Sequence, residues 1–133
     1  PTIDLWRQAI GHATQAGRFH PATDLLVLDG IPRSLRQAEI LQESLDVKAV
    51  FNLCCSEPKN LVRRLQRRAL RDNRLDDANM DVIERRLQVY EEETKPLLEF
   101  YGKEIVYQID ATQSAAEVIY EILHYATRFQ KAA

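Results

Sequence analysis

Glycine is scarce in this chain: four residues in 133, less than half the usual share of about 7%. Gly11, Gly17, Gly30 and Gly102 begin no GxxxxGK(S/T) or GxGxxG run, so the sequence carries no Walker A or dinucleotide-type phosphate loop of its own. Cysteine is nearly absent too. Cys54 and Cys55 are adjacent, where a mutual bond would be strained, so no disulfide framework is expected and a reducing, cytoplasmic setting suits the chain. They read as small apolar residues at a strand end. No apolar run approaches the roughly 18 residues of a membrane span, and no secretory segment is apparent. His12, His20 and His124 lack metal-ligand spacing. With 18 basic and 20 acidic residues the net charge is −2, which argues against a globally basic nucleic-acid binder. The aromatic residues are spread along the chain, as core or rim rather than a base-stacking platform. The first residue is Pro1 rather than Met, so a processed chain, or one cut from something longer, is expected.

What is present describes one globular domain: 45% apolar and 29% charged residues, at a length that can bury roughly two thirds of the unfolded surface. Thr2 or Asp4 can cap a first helix with Leu5, Ala9, Ile10 and Ala13 at helical spacing, which Gly17 ends. Leu25–Leu28 reads as a strand buried on both faces. Ser34-Leu35-Arg36-Gln37 has the form of a capping box and starts a helix running towards Glu43. Ala49–Leu53 is a second strand, and Ser56 with Pro58 opens a helix reaching about Leu70. Residues 71–78 read as a loop. Val82, Ile83, Leu87 and Tyr90 mark a long helix that Pro96 should kink or restart. Ile105–Ile109 is a third strand, and Ser114 caps a closing helix with Ala115, Val118, Ile119, Ile122 and Leu123 inward. Strands alternating with helices point to an α/β fold with a parallel sheet, whose ligands sit beyond the carboxyl ends of the strands.

That rule directs attention to Asp29-Gly30-Ile31-Pro32-Arg33-Ser34. A carboxylate after an apolar strand can hold a water of a Mg²⁺ shell, and glycine admits close approach of a ligand to the backbone. Arg33, one residue before a helix start, can grip a phosphate together with free amides. The plain alternative is a strand-to-helix turn with a surface arginine. From Arg63 to Arg74 six arginines face one acid, and from Asp76 to Glu104 nine acids face four bases. Arg64, Arg68, Arg74 and Arg86 can converge from two helices and a loop. Such like-charge clustering is unfavourable unless an anion neutralises it, as a transferring phosphoryl group would. The bland reading is a solvated face paired with Glu84, Glu91 and Glu92. Asp76 and Asp77 either pair with arginines when a loop closes or cap the next helix.

The ordered blocks LLVLDGIPRSLRQAEIL, LVRRLQRRALRDNRLDD, VIERRLQVYEEETKPLLEFY and IVYQIDATQSAAEVI resemble the central and C-terminal part of adenylate kinases. The resemblance implies a partial P-loop nucleoside monophosphate kinase fold, a parallel sheet with helices on both faces, whose first, central strand and P-loop are absent. It implies a single incomplete kinase domain: 1–17 the end of the nucleoside-monophosphate-binding segment, 25–68 and 79–133 the core, and 69–78 a short lid. Gly30, Ile31, Pro32 and Arg33 are similar to the family's DGFPR turn, with Ile31 in place of Phe, and Arg33 would hold the AMP phosphate. Gln37 would read the adenine of AMP. Arg64 and Arg68 would face ATP, with the backbone near Gln113 close to its adenine. Arg74 and Arg86 would contact the AMP phosphate and the transferring group, making Arg33, Arg68, Arg74 and Arg86 the catalytic clamp. Asp76 and Asp77 would lock the lid, and Asp29 would sit near Mg²⁺ through water.

The implied activity is transfer of the γ-phosphoryl of MgATP to AMP, giving two ADP, in nucleotide biosynthesis and homeostasis in the cytoplasm. The implied partners are ATP and AMP or ADP, with Mg²⁺ and without zinc, since the lid has no cysteine; neither nucleic acid nor membrane is involved. A UMP/CMP kinase and a non-catalytic, nucleotide-binding or self-associating fragment are the alternatives. The family is usually monomeric. Here, however, the strands at Leu25–Leu28 and Ala49–Leu53 should flank a one-strand gap of roughly 9 to 10 Å. A chain on its own would close that gap, fill it from another copy, or expose edges that invite association. Without a phosphate loop, these 133 residues alone are expected to be inactive.

Overall fold

A computed structural model of the chain describes residues 2–55, 57–73 and 79–130. Helix α1 (Thr2–Gln15) is followed by α2 (Leu35–Gln42), strand β1 (Val50–Cys54), α3 (Pro58–Arg71), α4 (Met80–Tyr101), strand β2 (Val106–Asp110) and α5 (Ala115–Ala126). The two strands are parallel, in register from Val50 opposite Val106 to Cys54 opposite Asp110. Parallel neighbours need a long crossover, and α3 and α4 supply it.

Side chains alternate across a strand, and this assigns a helix to each face of the sheet. On one face Phe51 and Tyr107 lie 5.7 Å apart between ring centroids, and Tyr125 of α5 stacks on Tyr107 at 4.4 Å. On the other, the Asn52 amide donates to Gln108 Oε1 at 2.8 Å, and the Tyr90 hydroxyl of α4 donates to Asn52 Oδ1 at 3.4 Å. The expected α/β class, a parallel sheet with helices on both faces, is therefore present in a small form.

Three expectations need correction. Leu25–Leu28 is not a strand: the described sheet contains only β1 and β2, and Val27 is 85% exposed. An apolar run records a preference for burial, but a strand needs a neighbour for its backbone groups. Ile119 and Leu123, expected inward on α5, are each 56% exposed. Of the two outcomes expected at Pro96, a kink or a restart, the restart is overturned: helix α4 runs through it as one 22-residue element. The amide that proline lacks would have reached the carbonyl of Glu92, on a residue exposed to water, which can satisfy the freed carbonyl.

The termini of the helices follow local chemistry. Ser34 Oγ accepts from the Gln37 amide at 3.3 Å, but Gln37 Oε1 accepts from the Arg33 amide at 2.7 Å. The glutamine thus reaches one residue beyond the capping-box partner. The expected Ser56 cap lies outside the described residues; Glu57 stands at the N-cap of α3 with no side-chain cap bond. A complete box opens α5, where Ser114 Oγ accepts from the Glu117 amide and the Glu117 carboxylate accepts from the Ser114 amide at 2.9 Å.

These bonds from the Ser114 backbone and hydroxyl pull the Glu117 carboxyl below its ordinary 4.5. A depressed folded-state value makes the carboxylate's contribution to the cap full above that ordinary value and progressively lost as pH falls below it. Ser114→Ala is expected to cost about 1 kcal/mol at neutral pH. The gap between urea melts of the two proteins should narrow, without closing, as the pH is lowered through the carboxylate range, because only the hydroxyl-to-carboxylate bond titrates while the bond from the Glu117 amide to Ser114 Oγ does not; a constant gap would mean that the hydroxyl-to-carboxylate bond contributes nothing.

Six hydrophobic side chains are buried among the described residues: Ile3, Ala38, Leu41, Ala69, Ile83 and Ile109. The chain exposes 10466 Å², whereas a compact monomer of 15.4 kDa would expose about 7,200 Å². The fold is open, with apolar faces still uncovered.

Candidate functional site

The sequence from Asp29 to Gln37 builds a self-bonded turn. Gly30 has φ +83, where an L side chain is strained, and a Cβ there would lie 3.7 Å from Arg33 Nη2. The bond between Ile31 and Pro32 is cis. Arg33 Nε donates to the Gly30 carbonyl at 3.0 Å, which anchors the guanidinium by its inner nitrogen and leaves Nη1 and Nη2 available. Arg33 is exposed and stands directly before the N-cap of α2. A guanidinium fork beside unsatisfied helix-start amides is an arrangement suited to a phosphate.

Gln37 locks this turn from α2 through its bond to the Arg33 amide. It also lines a shallow depression of about 340 Å³ with Ser34, Arg36 and Ile40 of the α2 region and Thr2, Ile3 and Asp4 of α1. Arg36, Asp4 and Thr2 were not legible as site residues, because only the packing of α1 on α2 brings them there.

Asp29 is exposed, and its carboxylate has no partner among the described residues. One open carboxylate fits Mg²⁺, which keeps most of its waters and takes few protein ligands. Among the described residues no group of three or more His, Cys, Asp or Glu is placed to hold a metal directly.

The arginines of α3 occupy exposed positions. Arg68 lies 3.9 Å from Asp72 Oδ2, and Arg71 Nε donates to Asp72 Oδ1 at 3.4 Å. Such exposed pairs are worth little, so Arg68 can be drawn off by a stronger anion. The Asp110 carboxyl, at the end of β2, lies below its ordinary range, with a smaller contribution from the charge of Arg64. The larger causes there are two bonds from Thr112, the hydroxyl at 2.6 Å and the amide at 2.8 Å. Beyond that turn, Gln113 Nε2 donates to Glu121 Oε1 at 2.9 Å.

Helix α3 packs on α4, and Gln66 Nε2 meets Met80 Sδ at 3.2 Å. Arg86 of α4 lines a broad groove of about 430 Å³ with Val82, Arg85 and Val89. Arg74, Asp76 and Asp77 lie outside the described residues. The segment 69–78, expected to be a lid, begins inside α3, which continues to Arg71. Cys54 ends β1 and Cys55 follows it, both half-buried free thiols.

A parallel α/β core that carries an arginine-bearing turn before one helix and arginine-rich helices nearby defines the class of nucleoside monophosphate kinase-like folds. No protein-family model matches the chain. Individual relatives are more informative. The chain is 44% identical to an adenylate kinase of Thermobifida fusca over 98 residues, 69% of this chain and 51% of the relative. It is 40% identical to that of Corynebacterium urealyticum over 122 residues, 88% of this chain and 60% of the relative. With that of Porphyromonas gingivalis the identity is 33% over 115 residues, 82% of this chain and 58% of the relative. The chain belongs to the adenylate kinase family. It spans between about half and three fifths of the length of these relatives.

Proposed function

We propose that this chain is the AMP-side and lid-bearing part of an adenylate kinase. In the reaction an oxygen of the AMP phosphate attacks the γ-phosphorus of ATP and the bond to the β,γ-bridging oxygen breaks, leaving two ADP. The observation that carries the reading is the Gly30–Arg33 turn, with Arg33 anchored by its Nε and its outer nitrogens free beside the start of α2. Gln37, next to that arginine and lining the depression between α1 and α2, would read the base. Arg64, Arg68 and Arg86 are the candidates for neutralising the ATP phosphates and the transferring group, with Arg74, Asp76 and Asp77 closing the lid. Phosphoryl transfer asks little covalent chemistry of a protein, so charge neutralisation and positioning supply the rate. Mg²⁺ would be held beside Asp29 through its waters, where it screens the charge of the phosphates.

The sequence contains no GxxxxGK(S/T) run of the kind that cradles the β-phosphate of ATP. The chain alone should therefore form no ADP above background in a coupled assay with MgATP and AMP. Joined to an N-terminal strand–loop–helix bearing GxxxxGK(S/T), it should turn over AMP in preference to UMP or CMP. Ordinary turnover by the chain alone, or a fused protein that prefers a pyrimidine nucleotide, would refute the assignment.

A further inference from the structure

The turn that leaves β2 is tied at successive residues. The Ala111 amide donates to the Cys54 carbonyl of β1 at 2.8 Å, the Thr112 amide to Asp110 Oδ1 at 2.8 Å, and the Ser114 amide to the Glu117 carboxylate at 2.9 Å. Gln113 stands between them, and its main-chain N–H and C=O have no partner among the described residues. It is held through its side chain, Nε2 donating to Glu121 Oε1 at 2.9 Å, with both residues half-buried. Glu121 lies four residues beyond Glu117, so the two carboxylates share one face of α5. Like charges at that spacing work against a helix. The Ser114 cap accounts for Glu117 alone; Glu121 reaches back about two helical turns to a residue that precedes the helix.

The turn follows the carboxyl end of β2, and α3 with its arginines follows the carboxyl end of the parallel neighbour β1. Ligands of parallel α/β sheets lie beyond that end. The N–H and C=O of Gln113 are one donor and one acceptor, which match a ring nitrogen and the amino group on an edge of adenine. We propose that Glu121 is a positioning residue for ATP: it holds Gln113 by the side-chain amide, so that the main chain of the turn keeps one conformation against the base. The proposal rests on the function inferred above, with ATP as the phosphoryl donor. Glu121 itself touches no nucleotide. The cost of ordering the turn is met in folding rather than on binding, so losing the hold weakens ATP binding and leaves the chemical step alone.

The test is steady-state kinetics of the chain completed by a phosphate loop, with ATP and AMP varied separately, together with amide hydrogen exchange in the turn. Glu121→Ala should raise the KM for ATP about 10-fold, the size of a lost hydrogen bond to a charged group, while kcat and the KM for AMP hold. Gln113→Ala should do the same, and the double variant no more than either, because each loses the same bond. Glu121→Gln keeps an acceptor for Gln113 Nε2 and should restore the KM, which a role for the charge alone would not allow. Exchange at the Thr112 and Ser114 amides should quicken in Glu121→Ala and return to normal in Glu121→Gln. An unmoved KM for ATP, equal losses for AMP, additive effects of the two alanine variants, no rescue by glutamine, or unchanged exchange would overturn the proposal. Failure of the underlying reading looks different: the completed chain would turn over neither nucleotide before any substitution, whereas failure of this proposal leaves that turnover intact.

Discussion

Arg33→Ala, placed in the chain completed by a phosphate loop, is expected to lower kcat/KM for AMP by at least about 10³, the lower end of what an arginine neutralising a transferring phosphoryl group contributes. That factor corresponds to about 4 kcal/mol of transition-state stabilisation. The geometry explains why one side chain should count for so much. Its Nε is already committed to the Gly30 carbonyl at 3.0 Å and the amide of the same residue to Gln37 at 2.7 Å. The guanidinium is thus oriented before any ligand arrives, and the entropy of ordering it is met during folding rather than on binding. Arg33→Lys should recover little, because an ammonium has no inner nitrogen to anchor while two outer ones grip a phosphate. Gln37→Ala should act in part through the same arginine, by releasing its amide. Steady-state kinetics with AMP and ATP varied separately would check the assignment. A loss confined to the KM for ATP would remove Arg33 from the AMP site.

How much of this was legible in the sequence depended on whether the determining contact was local. The Ser34 and Ser114 caps are local, and both helices begin where those residues stand. The strands at Val50–Cys54 and Val106–Asp110 lie one residue beyond the expected 49–53 and 105–109, because an apolar run marks burial while the ladder marks pairing. At Leu25–Leu28 the two criteria part completely: the composition is that of a buried strand, and the pairing is missing. The same reasoning applies to Ile119 and Leu123, whose spacing marks an apolar stripe on α5 but whose side chains are not covered among the described residues.

The site divides along the same line. Gly30, Arg33 and Gln37 lie within eight residues, and a motif reading finds them; only their bonding differs from the simple capping box. The charge of Arg64 felt at Asp110, and Tyr90 reaching Asn52 and through it Gln108, depend on pairings far apart in sequence. Four arginines on two helices and a loop are visible as a charge pattern, but a pattern does not set the angle at which helices pack. The Asp72 pairs that hold Arg68 and Arg71 were likewise available only once α3 had an end.

Ile109→Ala is expected to destabilise the chain by about 3–5 kcal/mol, the upper part of the range for a buried aliphatic residue cut back to alanine. Ile109 is fully enclosed, sits opposite Leu53 in the only described strand pair, and lends its carbonyl to the Cys54 thiol at 3.4 Å. Its backbone is fixed by the ladder, so the surrounding structure cannot collapse into the vacated space, and the cost of the cavity adds to the lost burial. A domain of this size is stable by only about 5–15 kcal/mol, and this one has few enclosed side chains with which to share the loss. Ile119→Ala removes the same atoms from a position 56% exposed, where truncation ordinarily costs no more than about 0.5 kcal/mol. Urea melts of the two variants at one fixed protein concentration make the comparison internal, since association would shift both alike. The midpoint should fall steeply for Ile109→Ala and barely for Ile119→Ala. Equal shifts would mean that α5 rests on the sheet through its outer stripe and that the core lies elsewhere.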